Sequence, residues 1–299
     1  MRVDPFYVQG LSSALNDVTS TEAQLSNELS SGLRVTSLSV DPVAAAQATL
    51  IGSSIAQDDQ YVQASSSAQS KLQVTDSALG EVVTQLTQAI GLATSGGDGT
   101  LNPSNKAAVG QELSAIRDQV FSLANTQYLG QYIFGGSQGS TAPFVQTGPS
   151  DSATTAYVGD TQLQYVTTQS GQRLQTNVAG SSVFTAAGSS ALGALNQVVS
   201  DFTSGASGAQ LATDTGALTS ALNTVNTQRG VVDSSLSQVT ATGTYAQTDA
   251  TQQTAAQSSL LDANAAQVAT SLSNAETQSA ALSNVIATLS KGSLFDYIK

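Results

Sequence analysis

The side chains in this sequence that could carry chemistry are almost all carboxylates. Asp58 and Asp59 are adjacent, and Asp201, Asp214 and Asp233 are scattered through the second half. Paired carboxylates can serve as general acid and base, but adjacent residues leave a helix in different directions. The chain contains no His and no Cys, so the usual near-neutral base, the imidazole metal ligand and the thiol nucleophile are missing. Gly96-Gly97 and Gly135-Gly136 have neither the Gly-Lys-Ser/Thr ending of a phosphate loop nor the context of a dinucleotide-binding turn. They read as turns, and the carboxylates read as solvated surface charge. No catalytic residue, cofactor or metal site is expected, and the chain is not expected to be an enzyme.

Composition narrows the partners. Nine Lys and Arg against 21 Asp and Glu give a net charge of -12, a field that repels nucleic-acid phosphates and anionic lipid. Charged residues are only 10% of the chain, against roughly 25% in ordinary globular proteins, so polarity comes from Ser, Thr, Gln and Asn. The lack of Cys excludes a disulfide framework and leaves the redox compartment open. No apolar stretch approaches the ~20 residues that cross a bilayer. The start, Met1 to Phe6, has no apolar segment of the kind found in cleaved secretory signals, and export, if it occurs, is expected to keep the N-terminus.

With so little reactive chemistry, the informative pattern is the one that positions helices. Apolar residues recur at alternating spacings of four and three, the seam of helices that pack like coiled coils. The first seam is Leu11, Leu15, Val18, Leu25 and Leu29, with Glu22 at its polar position. The second is Leu72, Leu79, Val83, Leu86 and Ile90, interrupted at Asp76. The third is Val109, Leu113, Ile116, Val120 and Leu123, behind the helix-start signal Asn102-Pro103-Ser104-Asn105. Joined through Ser95 to Gly99, the second and third helices should be antiparallel neighbours. The fourth seam is Leu218, Leu222, Val225, Val232, Leu236 and Val239, with Arg229 either pairing with a carboxylate or snorkelling to solvent. The fifth is Leu261, Ala265, Val268, Leu272, Ala275, Leu282, Ile286 and Leu289, with Ser279 inside it.

Between the third and fourth seams the period changes. Gln131 to Phe134, Gln162 to Val166 and Arg173 to Val178 read as strands, with Gly159-Asp160 and Ser170-Gly171 as turns. The expected fold is mainly α: an elongated, coiled-coil-like helical bundle made from both terminal regions, with a small inserted β-rich domain. The expected divisions are an N-terminal assembly helix at 1–40, a helical rod at 41–130, the β-rich insert at 131–188, the returning rod at 189–254 and a C-terminal assembly helix at 255–299. Both terminal seams are narrow and rich in Ala and Ser, and isolated helices of this kind are marginal. The termini are therefore expected to be disordered in the monomer and to pair with each other, and with neighbouring subunits, on assembly. The residues expected to form that interface are Leu11, Leu15, Val18, Leu25 and Leu29 with Val268, Leu272, Leu282, Ile286 and Leu289.

Several stretches carry a family resemblance. Leu29-Ser30-Ser31-Gly32-Leu33-Arg34-Val35 resembles the corresponding stretch of the flagellin superfamily, and Asp41-Pro42-Val43-Ala44-Ala45-Ala46 resembles the version found in its hook-filament junction proteins. Ala124 to Gly136 and Tyr157-Val158-Gly159-Asp160 are similar to the way that family enters and builds its insert. Ser293-Leu294-Phe295-Asp296-Tyr297-Ile298 resembles the junction branch at its terminus.

The resemblance implies an extracellular structural subunit of the bacterial flagellum joining hook to filament, exported by the flagellar type III route. It implies self-packing in a ring, contact with a neighbouring hook-associated protein and with flagellin, and a cytoplasmic export chaperone on residues 255–299. It implies no cofactor, nucleic acid or membrane. The nearest alternative is a filament flagellin. A surface adhesin or glycan-binding protein is a more distant one, and an exposed aromatic cluster among Phe144, Tyr157, Tyr165 and Phe184 would favour it.

Overall fold

The computed structural model of the chain describes residues 5–97, 102–148 and 154–295. Asp98 and Gly99 of the expected turn, Met1 to Asp4, and Asp296 to Ile298 of the terminal motif lie outside the described residues. The fold is mainly α, a helical bundle with a small β insert. The described helices are α1 (Pro5–Ser31), α2 (Pro42–Gly97), α3 (Pro103–Ala124), α4 (Gly180–Phe184), α5 (Ala191–Ser204), α6 (Gly208–Leu261) and α7 (Ala265–Phe295). Three two-stranded antiparallel hairpins interrupt them: β1 (Gln127–Tyr128) with β2 (Gln131–Tyr132), β3 (Phe144–Thr147) with β4 (Thr154–Tyr157), and β5 (Tyr165–Thr167) with β6 (Arg173–Gln175). The chain divides into two compact units, residues 57–248 and residues 1–56 with 249–299.

The central unit holds the hydrophobic core. On α2 the buried positions Asp58, Tyr61, Ser65, Ala68, Leu72, Thr75, Leu79, Val82, Leu86, Ala89 and Ala93 alternate by three and four, with Ala78 buried beside Leu79. Asp58, read from the sequence as solvated charge, is buried and accepts from Gln169 Nε2. On α6 the buried positions of this unit are Leu211, Asp214, Leu218, Ala221, Val225, Val232, Ser235, Val239 and Ala246. The two helices run antiparallel. The Tyr61 hydroxyl lies 2.6 Å from that of Thr242, Gln69 Nε2 donates to Thr240 Oγ1 at 3.0 Å, and Arg229 reaches Asp76.

This register corrects the sequence reading at four points. Val83, Ile90, Leu222 and Leu236 flank the seam, only partly buried, while Val82, Ala89, Ala221 and Ser235 occupy it. Small residues on the line of closest approach let the helix backbones come together, and the larger neighbours cover the sides. Asp76 and Arg229 are likewise flanking. They join in a salt bridge, which decides between the two readings of Arg229.

Helix α3 begins as its sequence signal predicts. Asn102 is the N-cap, its side chain accepts from Asn105 N–H at 2.8 Å, and Pro103 occupies the first turn. Its buried residues are Leu113, Ile116, Arg117, Val120 and Ala124, and Gln88 Nε2 donates across from α2 to Glu112 at 3.3 Å. Helix α5 lies inside the stretch expected to be the returning rod, 189–254, although no seam was read on it. Leu192, Leu195, Val198, Val199 and Phe202 nevertheless fall on one helical face, and all are buried.

The insert shares this core. Phe134, Phe144 and Phe184 are buried, with ring centroids 5.0 and 5.3 Å apart in edge-on geometry. Asn125, just past α3, donates to and accepts from the backbone of Phe144 at 3.0 Å each way. Asp160 accepts from Ser137 N–H at 2.7 Å, from the Ser137 hydroxyl and from Gln162 N–H, and the Ser137 contacts hold its carboxyl below the usual carboxylate range. The motif residues Asn125 and Asp160 thus mark joints of the insert. Gln162 to Gln164 is not a strand as expected. It is pinned instead by the Asn177 side chain, which accepts from Gln164 N–H at 2.7 Å and donates to Gln162 O at 3.0 Å. Of the β1–β2 and β3–β4 hairpins, only the residues of β2, within Gln131 to Phe134, were read as a strand.

Candidate assembly interface

The second unit is made by the two ends of the chain. Helix α1 ends at Gly32, which adopts φ 71° and donates its N–H to Glu28 O at 2.9 Å, a left-handed cap that suits glycine. The chain then runs extended. Arg34 N–H donates to Leu261 O at 2.7 Å, Ala263 N–H donates to Gly32 O at 2.8 Å, and Leu33 faces Asp262 in an antiparallel bridge. The break between α1 and α2 and the break between α6 and α7 are therefore bonded to each other.

Both breaks are capped on their far sides. Asp41 Oδ1 accepts from Ala44 N–H at 3.0 Å with Pro42 opening α2, and Asn264 Oδ1 accepts from Gln267 N–H at the start of α7. Arg34 adds a salt bridge to Asp41 at 3.2 Å, and its second nitrogen reaches Leu260 O at 2.9 Å. The Ala44 N–H, and after it Arg34, hold the Asp41 carboxyl below its ordinary value. The stretch Leu29 to Val35 is thus a joint, with Gly32 as its cap and Val35 as its buried plug.

From this joint α1 and α7 pack side by side, antiparallel. Leu11, Leu15, Val18, Glu22 and Leu25 face inward from α1, and Val268, Leu272, Ala275, Ser279, Leu282, Ile286 and Leu289 from α7. Nine of the ten interface residues read from the sequence lie on this seam. Leu29 does not: it is 41% exposed, and Glu28 is buried in its stead with its carboxylate accepting from Gln24 Nε2 at 3.0 Å. Ala265 is also exposed, because it opens α7 at the joint before the helices meet.

The seam is poorly covered. Among the described residues, the fully buried apolar side chains of this unit are Val35, Ala44, Ala48, Ala250, Val268 and Ala275, two valines and four alanines. Complete burial of a Val or Leu side chain contributes roughly 1.5–3 kcal/mol, and the leucines of this seam remain only half-buried. One oxygen of Glu22 is enclosed without a hydrogen-bond partner. A two-helix pair covers one face of each helix and leaves the remainder for further packing.

A family model for the bacterial flagellin N-terminal helical region matches residues 9–139. Flagellar hook-associated protein 3 of Salmonella typhimurium is 35% identical over 166 residues, 50% of this chain and 52% of the relative. The Escherichia coli protein of that name is 34% identical over 134 residues, 44% of this chain and 42% of the relative. The chain thus spans about half the length of the curated relatives it matches.

Among solved structures, a flagellar hook-associated protein from Vibrio parahaemolyticus aligns with a TM-score of 0.66 at 17% identity, covering 75% of this chain and all of that one. The flagellar junction protein FlgL from Legionella pneumophila aligns with a TM-score of 0.58 at 16% identity, covering 73% of this chain and all of that one. Residues 9–139 thus match the model of the bacterial flagellin N-terminal helical region, and the chain shares the fold of these two solved structures.

Proposed function

We propose that this chain is an extracellular structural subunit of the bacterial flagellum that joins hook to filament, and that it works without catalysis. The observation that carries the reading is the pairing of α1 with α7. Helices from opposite ends of the chain meet along a seam that is apolar except at Glu22 and Ser279 and only half-covered, and a further layer of like helices would bury what remains. In this reading Leu11, Leu15, Val18, Leu25 and Leu29 with Val268, Leu272, Leu282, Ile286 and Leu289 form the assembly interface. Leu29 lies outside the intramolecular seam and would contact neighbours alone.

The mechanism is geometric: the terminal helices continue the packing of the hook on one side and accept filament packing on the other. Ordering of residues 1–40 and 255–299 would then be completed by neighbouring copies, by a second hook-associated protein and by flagellin. A cytoplasmic chaperone would cover the C-terminal helix before export. The half-length likeness to hook-associated protein 3 supports the junction role over filament flagellin.

An adhesin is disfavoured by the aromatics. Phe144 and Phe184 are buried, Tyr157 donates its hydroxyl to Phe134 O at 3.1 Å, and Tyr165, 40% exposed with Arg173 4.1 Å from its ring centroid, is the one exposed member, so the four form no exposed cluster. No described helix is long and apolar enough to cross a membrane. The test is immunogold labelling of intact flagella with antibody against residues 131–188. A single band where hook meets filament supports the reading. Gold along the filament makes the protein a flagellin, and gold on the cell body alone overturns both.

A further inference from the structure

Helix α2 opens with a stretch that its own chain covers on one side only. Pro42 to Ala56 contains nine Ala, Val, Leu and Ile residues and no charged one, and a helix without a charged face is ordinarily buried all round. The covered side is Ala44 and Ala48, with Ile51 and Ile55 half-buried along the same line. On a different face Val43, Ala46 and Leu50 repeat the spacing of three and four. All three stand in solvent, Val43 and Leu50 at 67% and 71% exposure.

The loop before the helix extends this surface. Leu38 is 66% exposed and Val40 is exposed close to it, and Leu38 lines one hollow with Ala45, Ala48 and Thr49, which makes loop and helix contiguous. The Arg34–Asp41 salt bridge closes the loop and cancels the charge at its base. The next charged residue along α2 is Asp58, which is buried. Single exposed leucines are ordinary on a protein surface, whereas a contiguous apolar patch marks a contact site.

We propose that the patch of Leu38, Val40, Val43 and Leu50 packs against a second copy of this chain, beside the terminal-helix seam and in the same assembly. Two observations select a copy as the occupant. Each chain carries a net charge of -12, so copies repel wherever their carboxylates face each other, and this surface lets them approach without that cost. The patch also belongs to the unit whose buried apolar side chains are only two valines and four alanines. Every copy therefore brings the same uncovered apolar surface to the contact, and each covers the other. The inference rests on the reading of the chain as an assembling subunit. It adds a contact outside α1 and α7 that salt should barely alter.

Photo-cross-linking tests the contact in cells that make the full-length protein. The photoreactive residue p-benzoylphenylalanine is placed at Leu50, and at the equally exposed Tyr245 of the central unit as background. Irradiation of the Leu50 variant should give a covalent dimer of this chain, identified by mass and peptide mapping, well above the Tyr245 background. A cross-link to a different protein would overturn the choice of occupant, and a dimer yield no greater than background would overturn the contact. Val43→Lys with Leu50→Lys buries unpaired charge in the contact and should lower the assembled fraction at least tenfold by sedimentation. The melting curve of the monomer should be unchanged, because both side chains already lie in water. Assembly at the wild-type level would overturn the proposal. Location is read separately: a Leu50 dimer formed away from the flagellum would leave this contact standing and overturn the junction role.

Discussion

Arg229 on α6 closes on Asp76 on α2 through two nitrogens, with Nε 2.6 Å from Oδ1 and Nη2 3.3 Å from Oδ2. Both side chains remain partly in water, at 39% and 25% exposure, so the pair fixes register more than it stabilises. Exposed ion pairs contribute about 0.2–1 kcal/mol. A double-mutant cycle with Asp76→Ala and Arg229→Ala should give a coupling in that range by urea unfolding, shrinking in 1 M salt. A coupling above about 2 kcal/mol would mean that the pair is sealed from solvent.

The contrast between the two units gives a sharper test. Val268→Asp or Leu15→Asp places a charge in a seam with no counter-ion, and assembly should be lost. The central unit, whose core includes Leu79, Leu86, Leu195 and Val225 at 0% exposure, should keep its unfolding transition. Far-UV circular dichroism and sedimentation report the two outcomes separately, and variants that still assemble would exclude the seam as the interface. Wild-type protein at micromolar concentration should show less helix than α1 to α7 would give if all were formed. Full helicity in dilute monomer would exclude assembly-coupled ordering of residues 1–40 and 255–299.

Asp214 makes the central unit sensitive to pH. It is 3% exposed, and burial, followed by the Asp201 carboxyl that bonds to it and repels it, pushes its carboxyl from 3.8 up to about 6. A carboxyl raised on folding contributes stability that is complete below its ordinary value and is lost as pH rises through about 6. Asp214→Asn should therefore match the wild type near pH 4 and exceed it at pH 7.5 by about 1–3 kcal/mol. Melting temperatures measured from pH 4 to 8 check this, and parallel curves for the two proteins would contradict it.

Gly32 carries the joint between the chain ends. At φ 71° any side chain is strained, and Gly32→Ala should cost about 1 kcal/mol. The loss should fall on the α1/α7 unit. Faster proteolysis within residues 29–38, with an unchanged melting transition for the central unit, is the expected result.

The sequence by itself determined where the helices are and which way their apolar faces turn. The period of 3.5 residues survives in any environment, since it reflects which side chains can share one face. Nine of the ten residues it singled out on α1 and α7 face inward between those helices, and it marked the Asn102 cap and the Ser170-Gly171 turn between β5 and β6. These features rest on local chemistry, such as a side-chain oxygen reaching an N–H three residues on or a glycine accepting positive φ.

Tertiary structure decided what depends on the neighbour. The line of closest approach between α2 and α6 runs over Ala221 and Ser235, not over the larger Leu222 and Leu236, because backbone separation is set by both helices together. Glu28 replaces Leu29 in the seam because the joint at Gly32 fixes the angle at which α1 meets its partner. No seam was read on helix α5 because Ser and Gly at its ends outweighed a short apolar face, which only packing against α3 makes into a core. The pairing of Arg229 with Asp76, the burial of Asp214 against Asp201 and the exposure of Leu50 each join residues far apart in sequence, or set one residue against solvent. Spacing along one chain cannot encode a distance between two parts of it.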